Sequence, residues 1–166
     1  MFLASCGGGK SALAGRWLLI EGNGFSDVEL LKDGTGIADG MDVTWKVEKN
    51  RIYVSTSQQA MSFDYQLEGS KLTLTGDDGD TFVFLRPGGS SALVGKWVST
   101  NEFLFERVEF LKDGSGKADG GNFKWAADKN KLFIIDFEDD YFEYEVSGST
   151  LTITFDGEVV EQLKKE

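Results

Sequence analysis

Histidine is absent from the 166 residues, and cysteine occurs once, as Cys6. Ser–His and Cys–His nucleophilic pairs therefore cannot be assembled within one chain, and neither can a His/Cys metal site or an intrachain disulfide. Carboxylates, lysines and tyrosines are what remain for catalysis. Carboxylates are plentiful, with 28 acidic against 17 basic residues and a net charge of −11. Asp136, Glu138, Asp139, Asp140, Glu143 and Glu145 form the densest run, and paired carboxylates can hydrolyse a glycosidic bond. Asp33, Asp39 and Asp42, and again Asp77, Asp78 and Asp80, sit beside glycines in a way that could suggest calcium. Their spacing fits no EF-hand loop, and Asp-Gly is ordinary turn chemistry. The alternation through 136–145 matches a solvated strand and loop. No metal, no cofactor and no enzymatic activity is expected. The acidic balance of both halves argues against nucleic acid or anionic lipid as the main partner.

The elements that carry these residues come in two copies. Leu31-Lys32-Asp33-Gly34-Thr35-Gly36-Ile37-Ala38-Asp39-Gly40 returns 80 positions later as Leu111-Lys112-Asp113-Gly114-Ser115-Gly116-Lys117-Ala118-Asp119-Gly120. The match extends outward to residues 11–87 and 91–166, with 1–10 as a Gly-rich tether and Pro87-Gly88-Gly89-Ser90 as a linker. Ser11 and Ser91 can each cap one helical turn, and Gly15 and Gly95 then release a strand at Trp17 and Trp97. Period-2 runs follow at Asp27–Lys32, Met41–Val47, Arg51–Thr56, Phe63–Leu67, Leu72–Leu74 and Thr81–Arg86. Asp33-Gly34, Asp39-Gly40, Asp78-Gly79 and Asp156-Gly157 suit tight hairpins, since both residue types tolerate positive φ. About eight short strands per copy predict an all-β fold: two tandem up-and-down eight-stranded barrels, each closed to remove its sticky edges.

Leu3-Ala4-Ser5-Cys6 resembles a bacterial lipobox, in which the cysteine thiol receives a diacylglyceryl group. Gly15/Trp17 and Gly95/Trp97, the x-Asp-Gly-x hairpin, the terse Leu-Thr-Leu strand and the basic residues Arg86 and Lys164 resemble the lipocalin pattern. Each copy is similar to the small lipocalin-like domains of bacterial lipoproteins. That resemblance implies a non-enzymatic protein of the cell envelope or surface, lipid-anchored on Cys6 in the full precursor and touching membrane only there. A monomer is expected. It would act as an interaction module for a protein or glycan, or alternatively as a carrier of a small apolar ligand inside one barrel.

Alternation assigns an inward set to the first copy: Trp17, Leu19, Val28, Leu30, Val43, Trp45, Val47, Ile52, Val54, Phe63, Tyr65, Leu67, Leu72, Leu74, Phe82 and Phe84. An eight-stranded barrel has an interior about wide enough for side chains to fill, so this set predicts a solid core. Arg86 is expected over the Trp17 ring, and Lys164 over Trp97, closing each barrel by cation–π contact. In the second copy Phe133, Ile135 and Phe137 replace Tyr53, Ser55 and Ser57 on the outward phase, and Phe103 and Phe105 add apolar bulk nearby. These five are the expected interaction patch.

Overall fold

A computed structural model of the chain describes residues 9–101, 104–135 and 141–166. It divides into two compact units between Leu85 and Arg86. In the first, a helical turn α1 (Lys10–Leu13) precedes β1 (Gly15–Glu21), β2 (Asp27–Leu30), β3 (Thr35–Ala38), β4 (Met41–Glu48), β5 (Arg51–Ser55), β6 (Ala60–Glu68), β7 (Lys71–Thr75) and β8 (Thr81–Leu85). Each strand pairs antiparallel with the next, and β8 returns to β1 through Leu18–Leu85 and Leu19–Phe84, closing the barrel. The second unit repeats the plan with β9 (Gly95–Ser99), β10 (Arg107–Phe110), β11 (Ser115–Ala118), β12 (Gly121–Asp128), β13 (Lys131–Ile135), β14 (Phe142–Ser147), β15 (Thr150–Phe155) and β16 (Glu158–Lys165). There β16 closes on β9. The fold is thus all-β, two closed eight-stranded barrels in tandem. No helix among the described residues is long and apolar enough to cross a membrane.

Turn chemistry explains the meander, except that Asp33-Gly34 and Asp78-Gly79 lie in wider loops: Gly76 N–H donates to Asp80 O at 2.8 Å, and of the second pair only Gly79 has positive φ. Asp39 and Gly40 have φ of 46° and 81°, and Asp156 and Gly157 of 51° and 81°. Two successive left-handed residues give the turn whose twist matches antiparallel strands. Asp33-Gly34 is different. Leu31 N–H donates to Thr35 O at 2.8 Å, and the Asp33 carboxylate accepts from Thr35 N–H at 2.9 Å and Thr35 Oγ1 at 2.7 Å. This is a wider loop braced by an Asp side chain, not a tight hairpin. Those two bonds hold the Asp33 carboxyl below its ordinary pKa.

The opening turn is also built otherwise than expected. Gly9 stands at its N-cap without a side-chain hydrogen bond, so Ser11 caps nothing. The turn serves instead as a plug. Leu13 is fully buried, and its carbonyl accepts the Trp17 indole N–H at 2.8 Å. Leu93 and Trp97 repeat the arrangement at 2.8 Å. A buried indole needs an acceptor, and the free carbonyls ending a helical turn supply one.

Pro87–Ser90 is not a free linker. Gly88 forms a bridge with Ala126: its N–H donates to Trp125 O at 2.9 Å, and its carbonyl accepts from Ala127 N–H at 2.6 Å. The segment occupies the edge of β12 beyond the end of β11, so it belongs to the second unit.

Candidate ligand cavity in the first barrel

All of the inward set of the first copy but Val43, which is buried outside the cluster, meets as expected in one core cluster of Trp17, Leu30, Trp45, Ile52, Leu72, Leu74 and Phe84, with Leu19, Val28, Val47, Val54, Phe63, Tyr65, Leu67 and Phe82 partly buried against it. The predicted solid core is nevertheless wrong for this barrel. It encloses a cavity of about 350 Å³. The wall is Trp17, Val28, Leu30, Ala38, Ile52, Val54, Phe63, Leu72, Leu74, Phe82 and Phe84, and the rim is Asn23, Gly24, Phe25, Gln59 and Met61. That volume lies within the usual range of small-molecule sites, about 300–1,000 Å³, and the wall is apolar as such sites are.

The strands dictate which end is open. β1, β3, β5 and β7 run toward the connections at 22–26, 39–40, 56–59 and 76–80. Asn23, Gly24 and Gln59, on the first and third of these, are exposed and line the cavity. At the other end Leu13 and Trp17 are buried and hydrogen-bonded to each other. The barrel is therefore a cup with its mouth at the 22–26 and 56–59 loops. Phe63 and Phe82 meet edge to face near that mouth, ring centroids 5.6 Å apart.

The second barrel places bulkier side chains on the same plan. Leu30 is replaced by Phe110, Val43 by Phe123 and Gly24 by Leu104. Phe110 packs edge-on to Phe123 at 5.6 Å and to Trp125 at 5.3 Å, while Phe105 stacks on Phe123 at 6.4 Å. Exposure follows. Val28, Val54 and Phe63 are half-buried around the cavity, whereas their counterparts Val108, Ile134 and Phe142 are 2%, 4% and 7% exposed.

One substitution could not have been found by alternation. Leu74 pairs with Phe82 across β7/β8, and Ile153 pairs with Glu161 across β15/β16. A fully buried Glu161 therefore stands where the first barrel has Phe82. Its carboxyl group accepts from Ser99 Oγ, from Leu104 N–H at 2.5 Å and from Phe105 N–H at 3.3 Å. It thereby ties down the loop that corresponds to the mouth of the first barrel.

The other expected sites need two corrections. Lys165, not Lys164, stands over Trp97, with Nζ 5.3 Å from the ring centroid, while Lys164 donates to Thr150 Oγ1 at 2.5 Å. The cause is hairpin length. The β7/β8 connection spans 76–80 but the β15/β16 turn only Asp156-Gly157, and a bulge between Ile153 and Thr154 absorbs the difference. Aligning the copies on their Asp-Gly pairs misses that residue. Arg86, just after β8, is half-buried, and burial lowers its guanidinium pKa. A cation–π contact absent from the sequence reading joins Lys10 to Trp45 at 5.3 Å.

The interaction patch does not hold as one surface. Phe105 is 6% exposed and belongs to the core of the second barrel, because its ring faces Phe123. Phe133 and Ile135 are half-buried and out of phase with the buried Leu132 and Ile134, as expected. Phe133 rests against Tyr141 at 5.8 Å, and Lys131 Nζ sits 3.7 Å from the Tyr141 ring centroid. Cys6, Phe103, Phe137 and the acidic residues 136–140 lie outside the described residues.

No family model, curated protein or solved structure matches this chain.

Proposed function

We propose that this protein is a non-enzymatic carrier that holds one small apolar molecule in its first barrel, while the second barrel is a filled companion. The observation that carries this reading is the asymmetry of the duplicated cores: one plan, hollow and open in the first copy and packed with Phe105, Phe110 and Phe123 in the second. At interior packing density, about 0.74, the cavity admits roughly 260 Å³ of ligand, and each buried methylene contributes about 0.8 kcal/mol. The lipocalin-like resemblance of the sequence points the same way. Carriage takes precedence over an interaction module because, among the described residues of the apolar strip that motivated the latter, Phe105 belongs to the core and only Phe133 and Ile135 are on the outward phase.

Titrating the full chain with a neutral fluorescent probe such as N-phenyl-1-naphthylamine tests the proposal. One site per chain is expected. A variant carrying Gly24→Leu, Leu30→Phe and Val43→Phe, the residues of the second copy, should bind at least about tenfold more weakly, a change of about 1.4 kcal/mol. Undiminished binding in that variant would overturn the assignment, as would no binding by the native chain.

Residence in the cell envelope, anchored through a lipid on Cys6, is part of the same proposal and rests on Leu3-Ala4-Ser5-Cys6. Labelled palmitate should enter the precursor and be lost in Cys6→Ser; equal labelling of both would remove the anchor.

A further inference from the structure

The composition of its lining restricts what the first barrel can hold. No aspartate, glutamate, lysine or arginine lines the cavity. The wall carries one polar side-chain hydrogen, the Trp17 indole N–H, and that is already donated to Leu13 O at 2.8 Å. The depth of the cup therefore offers a ligand neither charge nor a side-chain hydrogen bond. An ion placed there would give up its hydration with nothing to replace it, which is strongly unfavourable.

Side-chain amides enter the lining only at the rim, as Asn23 and Gln59. They stand on the β1/β2 and β5/β6 connections, four strands apart in a closed ring of eight, and so flank the mouth from opposite sides. The Asn23 loop is set against the mouth by its glycines. A Cβ on Gly22 or on Gly24 would lie 3.1 or 3.2 Å from Phe82 Cδ1, so the loop runs close along the Phe82 ring. Gln59 Nε2 donates to Met61 Sδ at 3.2 Å, which steadies that side chain along the rim. Gln59 Oε1 and the Asn23 amide have no protein partner among the described residues. A carboxamide both donates and accepts and carries no net charge, so these two can bond a hydroxyl, a carbonyl or an amide.

We infer that the occupant of the first barrel is an uncharged molecule with one polar end, its compact apolar body among Leu30, Ile52, Leu72 and Phe84 and its single hydroxyl, carbonyl or amide group at the mouth, bonded by the side-chain amides of Asn23 and Gln59. Ions of either sign are excluded. This rests on the carrier reading and adds to it a selection by head group.

Displacement of bound N-phenyl-1-naphthylamine from the full chain by four compounds of one ring system tests the inference: 1-methylnaphthalene, 1-naphthalenemethanol, 1-naphthoate and protonated 1-naphthylmethylamine, all at pH 7. In 1 M salt the Debye length is about 3 Å, so the net charge of −11 does not set their order. The alcohol should displace within about threefold of the hydrocarbon, because the amides replace the water its hydroxyl gives up. Both ions should need at least about tenfold more than the alcohol. Asn23→Leu with Gln59→Leu should raise the alcohol concentration needed, relative to the hydrocarbon, about fivefold, and each single variant should show part of that shift. Either ion equal to the alcohol overturns the inference while carriage stands. An alcohol-to-hydrocarbon ratio unmoved by all three variants also overturns it, because the amides would not be holding the head. Failure of the probe itself to bind overturns carriage and the selection together.

Discussion

A carboxyl group enclosed in a barrel is tolerated only if its oxygens are hydrogen-bonded, and Glu161 meets that condition through Ser99 and two backbone N–H groups of the 104–105 loop. Phe82, at the same place in the first barrel, offers no acceptor; there the loop is Gly22-Asn23-Gly24 and stays open. Glu161→Leu keeps the volume near constant but strands these donors. It should destabilise the second unit by about 2–4 kcal/mol, since each unsatisfied buried donor costs about 1–3 kcal/mol. Urea unfolding followed by Trp fluorescence measures this, and a loss below about 0.5 kcal/mol would mean that the network is not holding the loop. Alternation identified Trp17, Trp45, Leu72 and Phe84 as core because period 2 separates the faces of a strand. It could not identify Glu161, since a carboxylate in an alternating strand reads as solvated. Nor did it flag Leu18 and Leu85, which are buried on the other phase of β1 and β8.

Among the elements, hairpins were the most legible and connections of unequal length the least. Asp39-Gly40 and Asp119-Gly120 announce themselves because few residue pairs accept two positive φ angles. The Gly88-Gly89 segment reads as a linker by composition, yet its glycines do structural work against β12. Gly89 has φ of 99°, and a Cβ on it would lie 2.4 Å from Ala127 O. Such an approach is closed to any other residue without backbone movement. Gly89→Ala should lower the stability of the second unit by about 1–3 kcal/mol, the usual cost of a non-glycine residue forced into strained backbone. Thermal unfolding by circular dichroism gives the readout; an unchanged midpoint would return the segment to the status of a free tether.

For the whole molecule, the 80-residue repeat predicted two barrels, and two barrels are what the chain forms. Whether either was hollow could not be read the same way. Both copies present inward sets of similar bulk, and an eight-stranded barrel sits close to the boundary between a filled interior and a ligand site. The outcome turns on three exchanges, Gly24 for Leu104, Leu30 for Phe110 and Val43 for Phe123, and on how those rings stack. A sequence pattern records which side chains point inward and not how completely they meet. The hollow first barrel is therefore the claim on which the functional account stands. Crystals of the full chain grown with 10-bromodecan-1-ol and measured at the bromine absorption edge test it most directly. The account expects one anomalous peak per chain inside the first barrel, bounded by Leu30, Ile52, Leu72 and Phe84, and none inside the second. Bromine within the second barrel, or a first barrel that stays empty while the alcohol is held only on outer surfaces, would contradict it.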